Sequence, residues 1–361
     1  PMKALPQLPL WTLVAPVLGW LLLAGTRLDL GDAYLAVLAA GLLIGVLASV
    51  HHAEVVAHRV GEPFGTLVLA AAVTAIEVAL IVTLMLAGGE SAMALARDTV
   101  FATVMIILDG IVGLCLLVGG RRFHEQQFGL YGVNAALSTL AAFVFLTLIL
   151  PNFATTVPGP YYSNKQLGFV AIVSLVLYGT FLFVQTVRHR DYFLPANADH
   201  DESVHAAPPS RAVTLISALL LPVGLAAVVL IAKAISPAIE AGVARLGAPQ
   251  ALVGVIIAVI VLLPEGLAAV RAARLNRLQT SLNLALGSAL ASIGLSIPTV
   301  AIVSIVNGWP VQLGLDEKSM VLLVLSMLIA GQSLGTGRTT MMQGAVHLVV
   351  FAVYLFFTVF P

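Results

Sequence analysis

Apolar runs of about twenty residues follow one another along almost the whole chain, and nothing else constrains its fold as tightly. From Leu67 to Ala87, 21 positions carry one ionisable residue, Glu77. A run of that length crosses a hydrocarbon core of about 30 Å as a helix. Lipid offers no hydrogen bonds to exposed backbone, so spanning segments have to be helices or closed barrels. Eleven runs are found, at approximately 9–25, 32–50, 65–87, 98–118, 132–150, 167–186, 211–234, 250–270, 281–306, 319–334 and 341–360. Only 9% of the residues are charged, against about 25% in an ordinary soluble domain. The soluble-enzyme classes therefore drop out, and the lipid bilayer becomes the first partner. The formal net charge is zero, which gives no electrostatic case for nucleic-acid binding. The single cysteine, Cys115, lies inside an apolar run and allows no internal disulfide. The first apolar stretch, after Lys3, reads as a retained span rather than a cleavable signal.

Lysine and arginine set the expected orientation. With the N-terminus inside, the inner loops hold Lys3, Arg59, Arg121, Arg122, Arg188, Arg190, Arg211, Arg271, Arg274, Arg277 and Arg338, and the outer ones Arg27, Arg97, Lys165, Lys233, Arg245 and Lys318. That bias of 11 to 6 predicts a cytoplasmic N-terminus and an outside C-terminus. The longest polar stretch, 187–210, divides the spans into six and five.

The two parts share a pattern. "RVGEPFGTLVLAAAVTAIE" runs from Arg59 to Glu77, and "RLGAPQALVGVIIAVIVLLPE" from Arg245 to Glu265. Each reads arginine, apolar, glycine, any residue, proline, then an apolar run ending in glutamate. Proline to glutamate is 14 residues in the first and 16 in the second. Further on, "IVGLC" (111–115) is echoed by "SIGLS" (292–296), and Tyr178 and Tyr354 sit near the ends of the two halves. The glutamates fall on the third and eighth spans, so the two segments cross the membrane in opposite directions. An inverted repeat of this kind is the architecture of many secondary transporters.

A carboxylate at the bilayer centre costs about 2.5–3.5 kcal/mol on insertion scales, so Glu77 and Glu265 call for a function. Calcium takes six to eight hard oxygen ligands, with carboxylates prominent. Two inverted glutamates would supply two of them. Thr74 lies one helical turn before Glu77. Ser288 and Ser292, four apart, share a helical face. Pro264 cannot donate to the carbonyl of Ile260, nor Pro298 to that of Gly294, and both oxygens are freed for an ion. Burial disfavours the charged carboxylate and a bound cation favours it, so protons and metal compete for the same oxygens. Glu265 lies only six residues before Arg271, closer to the cytoplasmic side than Glu77. Asp109, deep in the fourth span, is open to three roles: third ligand, proton carrier, or partner of a buried cation. His347 reads as a helix–helix hydrogen bond, with a proton-path role also open.

Gly331-Gln332-Ser333-Leu334-Gly335 matches the G-x-S-x-G elbow of serine hydrolases, with His347 downstream. That elbow needs a strand-to-helix turn on a sheet, which this chain lacks, and no acid partner is evident. Asp199, His200, Asp201, Glu202 and His205 form an acidic, histidine-containing loop, either a solvated linker or a calcium or pH sensor. His51, His52, Glu54 and His58 follow the second span, where a cytoplasmic entry funnel would lie.

Several stretches now resemble one family: "HRVGEPFGTLVL", "AIEVALI", "LLPEGLAAV", "NLALGSALASIGLSIP" and "TGRTTMMQGAVHL". The chain is similar over its whole length to the calcium/cation antiporter superfamily, and within it to the bacterial ChaA-type calcium/proton antiporters. The resemblance implies an all-α fold of about eleven membrane helices, with one extra N-terminal helix (1–28) and two inverted five-helix repeats (29–190 and 211–361) around a polar linker (191–210). It implies a midplane cation site with one glutamate from each repeat, here Glu77 and Glu265, and no cofactor beyond the transported ions and protons. The family's Gly-Asn-Ala-x-Glu pattern is replaced by Val73-Thr74-Ala75-Ile76-Glu77 and Val261-Leu262-Leu263-Pro264-Glu265. Oxygens that asparagine supplies elsewhere must come from other groups here. The expected function is export of calcium, with sodium or potassium as further cargo, in exchange for protons by a transporter rather than an enzyme. A sodium/calcium exchanger, a channel and an intramembrane hydrolase are the alternatives, and a homo-oligomer stays open.

Overall fold

A computed structural model describes residues 8–28, 30–61, 64–88, 93–194 and 208–360. The described residues contain 11 helical segments long and apolar enough to cross a membrane, and each coincides with one of the predicted runs. The chain is a multi-pass, helical membrane protein. It divides into two compact units, residues 1–87 with 201–246 and residues 88–200 with 247–361. Compactness thus cuts across the sequence halves, because each unit takes helices from both.

The first unit contains α1 (Leu10–Gly25), α2 (Asp32–Val60), α3 (Phe64–Gly88) and α8 (Arg211–Arg245). Helices α1, α2 and α8 pack on one another. His52, fully buried, joins them. Its Nε2 donates to the Thr12 carbonyl (2.9 Å), and its Nδ1 shares a hydrogen bond with the Ser217 hydroxyl (3.2 Å). The carbonyl can only accept, so Nε2 carries a proton. The loop histidines expected near an entry funnel therefore include one that pins three helices together.

The second unit holds α4 (Leu95–Met105), α5 (Gly113–Phe123), α6 (Leu130–Val144), α7 (Asn164–Phe183), α9 (Ala251–Arg274), α10 (Leu278–Asn307), α11 (Glu317–Leu334) and α12 (Met341–Val359). A π-helical turn, Ile106–Val112, joins α4 to α5 within one continuous span. Further π turns follow α6 (Phe145–Ile149) and α7 (Val184–Arg188). Helix α10 packs on α6, α7 and α9, while α12 lies along α5. Two three-residue strands, β1 (Glu125–Gln127) and β2 (Arg338–Thr340), pair antiparallel with Gln126 opposite Thr339. This ribbon and an isolated antiparallel bridge between Tyr161 and Gln312 depart from an all-helical reading. The ribbon ties the end of α5 to the start of α12. Gln126 also donates to the Ala273 carbonyl and to the Asn276 side chain, anchoring the ribbon to the α9–α10 turn.

The sequence repeat has a local counterpart. Gly61 follows α2 at φ +75°, and Gly247 follows α8 at φ +66°. Both positions are left-handed, where a side chain is strained and glycine is not. Each turn leads into a glutamate-bearing helix, α3 or α9. The arginine–apolar–glycine motif thus puts a positive-φ glycine at both helix ends, as the cap after Val60 in one and just past the cap Leu246 in the other.

Candidate functional site

Helix α9 runs unbroken through Pro264, as α10 does through Pro298. Proline supplies no N–H, so the carbonyls of Ile260 and Gly294 lack their usual donors four residues on. Glu265, half-buried immediately after Pro264, accepts a hydrogen bond at Oε2 from the Ser288 hydroxyl of α10. Ser292, one turn along α10, is buried. Tyr178 of α7 is buried and lies close enough to Glu265 for the two to interact electrostatically. It packs on Gly294, where an added Cβ would lie 2.8 Å from the Tyr178 Cβ. The predicted residues Glu265, Ser288, Ser292, Ile260 and Gly294 thus fall on two adjoining helices. Tyr178 joins the group through a third helix. Its only signal in the sequence was its equivalence to Tyr354.

Chemically, this patch offers a carboxylate, hydroxyls and unclaimed carbonyl oxygens. Hard cations take such ligands, and the carboxylate can take a proton instead. Among the described residues, no three His, Cys, Asp or Glu side chains converge to hold a metal ion. A cation bound here would rely on neutral oxygens as much as on charge.

In the first unit, Glu77 and Thr74 are both buried on α3, one turn apart. The acidic cluster Asp199, His200, Asp201 and Glu202 lies outside the described residues.

Asp109 sits within the π turn, fully buried. The His347 Nδ1 of α12 donates to its Oδ1 over 2.8 Å, and the Ser326 hydroxyl of α11 donates to its Oδ2 over 2.5 Å. His347 does join two helices, as expected. An acid partner for it, absent from the linear reading, is found in Asp109. A hydrolase still does not follow, since Ser326 bonds the aspartate rather than the imidazole. Ser333 lies in the last turn of α11, not at a strand-to-helix elbow.

Buried carboxylates on α3 and in the π turn, and a half-buried one after Pro264 of α9, set in a bundle of membrane-length helices, define a polytopic ion-transport protein. The family described as "Sodium/calcium exchanger protein" matches residues 32–187 and 216–360, and the chain belongs to that family. Its resemblance to ChaA-type antiporters also holds against known proteins. It is 49% identical to y4hA of Sinorhizobium fredii, named as a proposed ionic transporter, over 98% of this chain and 97% of the relative. It is 38% identical to the sodium-potassium/proton antiporter ChaA of Escherichia coli, over 87% of this chain and 86% of that one. The fold is that of the crystal structure of the H+/Ca2+ exchanger CAX. The two superpose with a TM-score of 0.73 at 15% identity, covering 96% of this chain and 87% of that chain.

Proposed function

We propose that the protein is a secondary antiporter of the inner membrane that exports calcium, and also sodium or potassium, in exchange for protons. The observation that carries this reading is Glu265. It stands in the middle of an apolar helix beside the carbonyl that Pro264 releases, and it is hydrogen-bonded to Ser288. The relatives named for calcium/proton and for sodium-potassium/proton antiport support it. In this reading Glu77, with Thr74, is the second carboxylate of the site. That pairing rests on the sequence repeat and on the duplicated glycine turns. The family matches at 32–187 and 216–360 support the same division into repeats.

Each glutamate alternates between a protonated, neutral form and an ionised, cation-bound form. The exchange is obligatory because a bare carboxylate in an apolar helix is costly. Two glutamates releasing two protons for one divalent ion would make these two sites electroneutral by themselves. The acidic stretch around Asp201 is proposed as a solvated linker, with a calcium- or pH-sensing role as the alternative.

Flux in proteoliposomes tests the assignment. An imposed pH gradient is expected to drive calcium uptake and to be partly dissipated by it. Glu77→Gln and Glu265→Gln are each expected to abolish proton-coupled flux. Wild-type coupled flux in both variants would sink the site assignment. Calcium movement that needs sodium and ignores the pH gradient would favour the sodium/calcium exchange suggested by the family's description.

A further inference from the structure

The second unit holds a buried ionisable pair that the glutamate cycle does not use. Asp109 and His347 are each 0% exposed and 2.8 Å apart, with Ser326 also at 0% exposure. The three come from the π turn, α12 and α11. The serine hydroxyl donates to Asp109 Oδ2. His347 Nδ1–H then donates to Oδ1. His347 Nε2 is left buried, with no hydrogen-bond partner among the described residues.

Charge accounting gives this cluster its meaning. An ionised aspartate beside a neutral imidazole carries one net negative charge, and among the described residues no lysine or arginine reaches either group. A proton taken up at Nε2 makes the pair neutral overall. Loss of that proton restores a buried negative charge, which a nearby cation would offset. The pair is therefore built to hold a proton in one state of its surroundings and release it in another.

The surroundings that differ are on α9. Ile111 of the same π turn meets Gly266, the residue after Glu265, where an added Cβ would lie 3.2 Å from Ile111 Cδ1. On the other side, Gly113 lets α12 approach until its own added Cβ would lie 2.8 Å from the His347 Cβ. Pi turns of this kind recur at functional sites.

The other ionisable groups on the packed elements are engaged elsewhere. Arg97 and Asp98 pair with each other at the far end of α4. Cys115 packs against Ala269 and Ala273. Lys318 of α11 donates to the Phe357 carbonyl, and Glu317 beside it lies in the first turn of that helix. Tyr354 packs on Phe101. Arg121 and Arg122 of α5, and Arg271 and Arg274 of α9, lie in the last turns of their helices. Helix α10 carries no charged residue. Glu265 is the carboxylate on α9, the helix that meets the π turn through Gly266.

We propose that Asp109 and His347 form a second proton-binding site, separate from the glutamates, which gives up one proton each time the Glu265 site takes its cation. This rests on the antiporter reading above and adds one proton to its cycle. For a divalent ion the exchange then moves more protons than two and responds to membrane potential.

The test is a count of protons. Calcium is added to the full-length protein in detergent, in weakly buffered solution with a pH indicator, and bound calcium is measured in parallel. The wild type is expected to release more than two protons per calcium ion, and a count of two or fewer overturns the proposal without any variant. The double variant Asp109→Asn with His347→Gln is expected to bind calcium but release one proton fewer, and to lose sensitivity to membrane potential in proteoliposomes. A purely structural role for the pair leaves count and voltage response unchanged, and that result also overturns it. Glu265→Gln separates the two readings. If that variant binds calcium and releases protons like the wild type, the glutamate assignment fails whatever the double variant shows.

Discussion

Glu265 sits among oxygen-bearing groups. It has a serine hydroxyl, a tyrosine within electrostatic range, and a helix with one carbonyl unclaimed. A hydrogen bond to a charged group contributes about 1.5–3 kcal/mol. Removal of the Ser288 hydroxyl should therefore weaken cation binding by roughly ten-fold or more, since 1.4 kcal/mol is tenfold in affinity. Ser288→Ala is expected to raise the calcium concentration for half-maximal flux by that factor while transport persists. Ser288→Thr, which keeps the hydroxyl, is expected to recover most of the loss. Equal affinity in Ser288→Ala and wild type would remove Ser288 from the site. The face carrying Ser288 and Ser292 was legible in the sequence, because four-residue spacing on a helix is a local property. The Asp109–His347 contact was not. Its partners lie 238 residues apart, and only packing brings them together. The reading that left His347 without an acid partner looked along the chain rather than across the bundle.

Among the elements, hydropathy located the 11 membrane-length helical segments of the described residues because lipid leaves so few alternatives. It gave no warning of the π turn at Ile106–Val112 or of the ribbon between Glu125–Gln127 and Arg338–Thr340. A π turn inserts one residue into an otherwise apolar helix without altering its composition, and three-residue strands are too short for alternation to be seen. The glycine turns were legible as a motif, and their geometry gives the motif its reason. Gly247 has φ +66° with open space around it, so an added side chain meets backbone strain but no clash. A non-glycine residue in this region costs about 1 kcal/mol or more. Gly247→Val is expected to lower thermal stability by that order, measured as a fall in melting temperature in detergent, with Gly61→Val behaving alike. Helix α9 offers a contrast. An added Cβ at Gly254 would lie 3.0 Å from the Asp98 backbone carbon. Gly254→Leu is therefore expected to force α4 and α9 apart. It should cost more than Gly247→Val and depress flux as well as stability. If the two variants melt alike, close packing of α4 on α9 is not what Gly254 provides.

Across the whole molecule, the sequence halves and the compact units are different divisions, and each has its own physical cause. The halves follow a duplicated pattern, whereas the units follow which helices bury surface together. Within the second unit, charge is segregated by end. The ribbon and its anchors gather the end of α5, the end of α9, the start of α10 and β2 at one end. Arg121, Arg122, Arg271, Arg274, Arg277 and Arg338 lie there. At the other end Arg97 donates to the Gly314 carbonyl, and Asn152 donates to that of Leu315. Lys165, in the first turn of α7, opens the span whose far end carries Arg188. An arginine-rich end belongs on the cytoplasmic side, so the proposed topology places Arg121 inside and Lys165 outside. Cys115 is buried and the chain has no other cysteine. A Cys115→Ala background therefore makes single-cysteine mapping clean. In intact cells, a membrane-impermeant maleimide is expected to label Lys165→Cys and to leave Arg121→Cys untouched until the membrane is permeabilised. In everted vesicles the pattern should reverse. Labelling of Arg121→Cys from outside intact cells would invert the topology, and with it the side from which the cation enters.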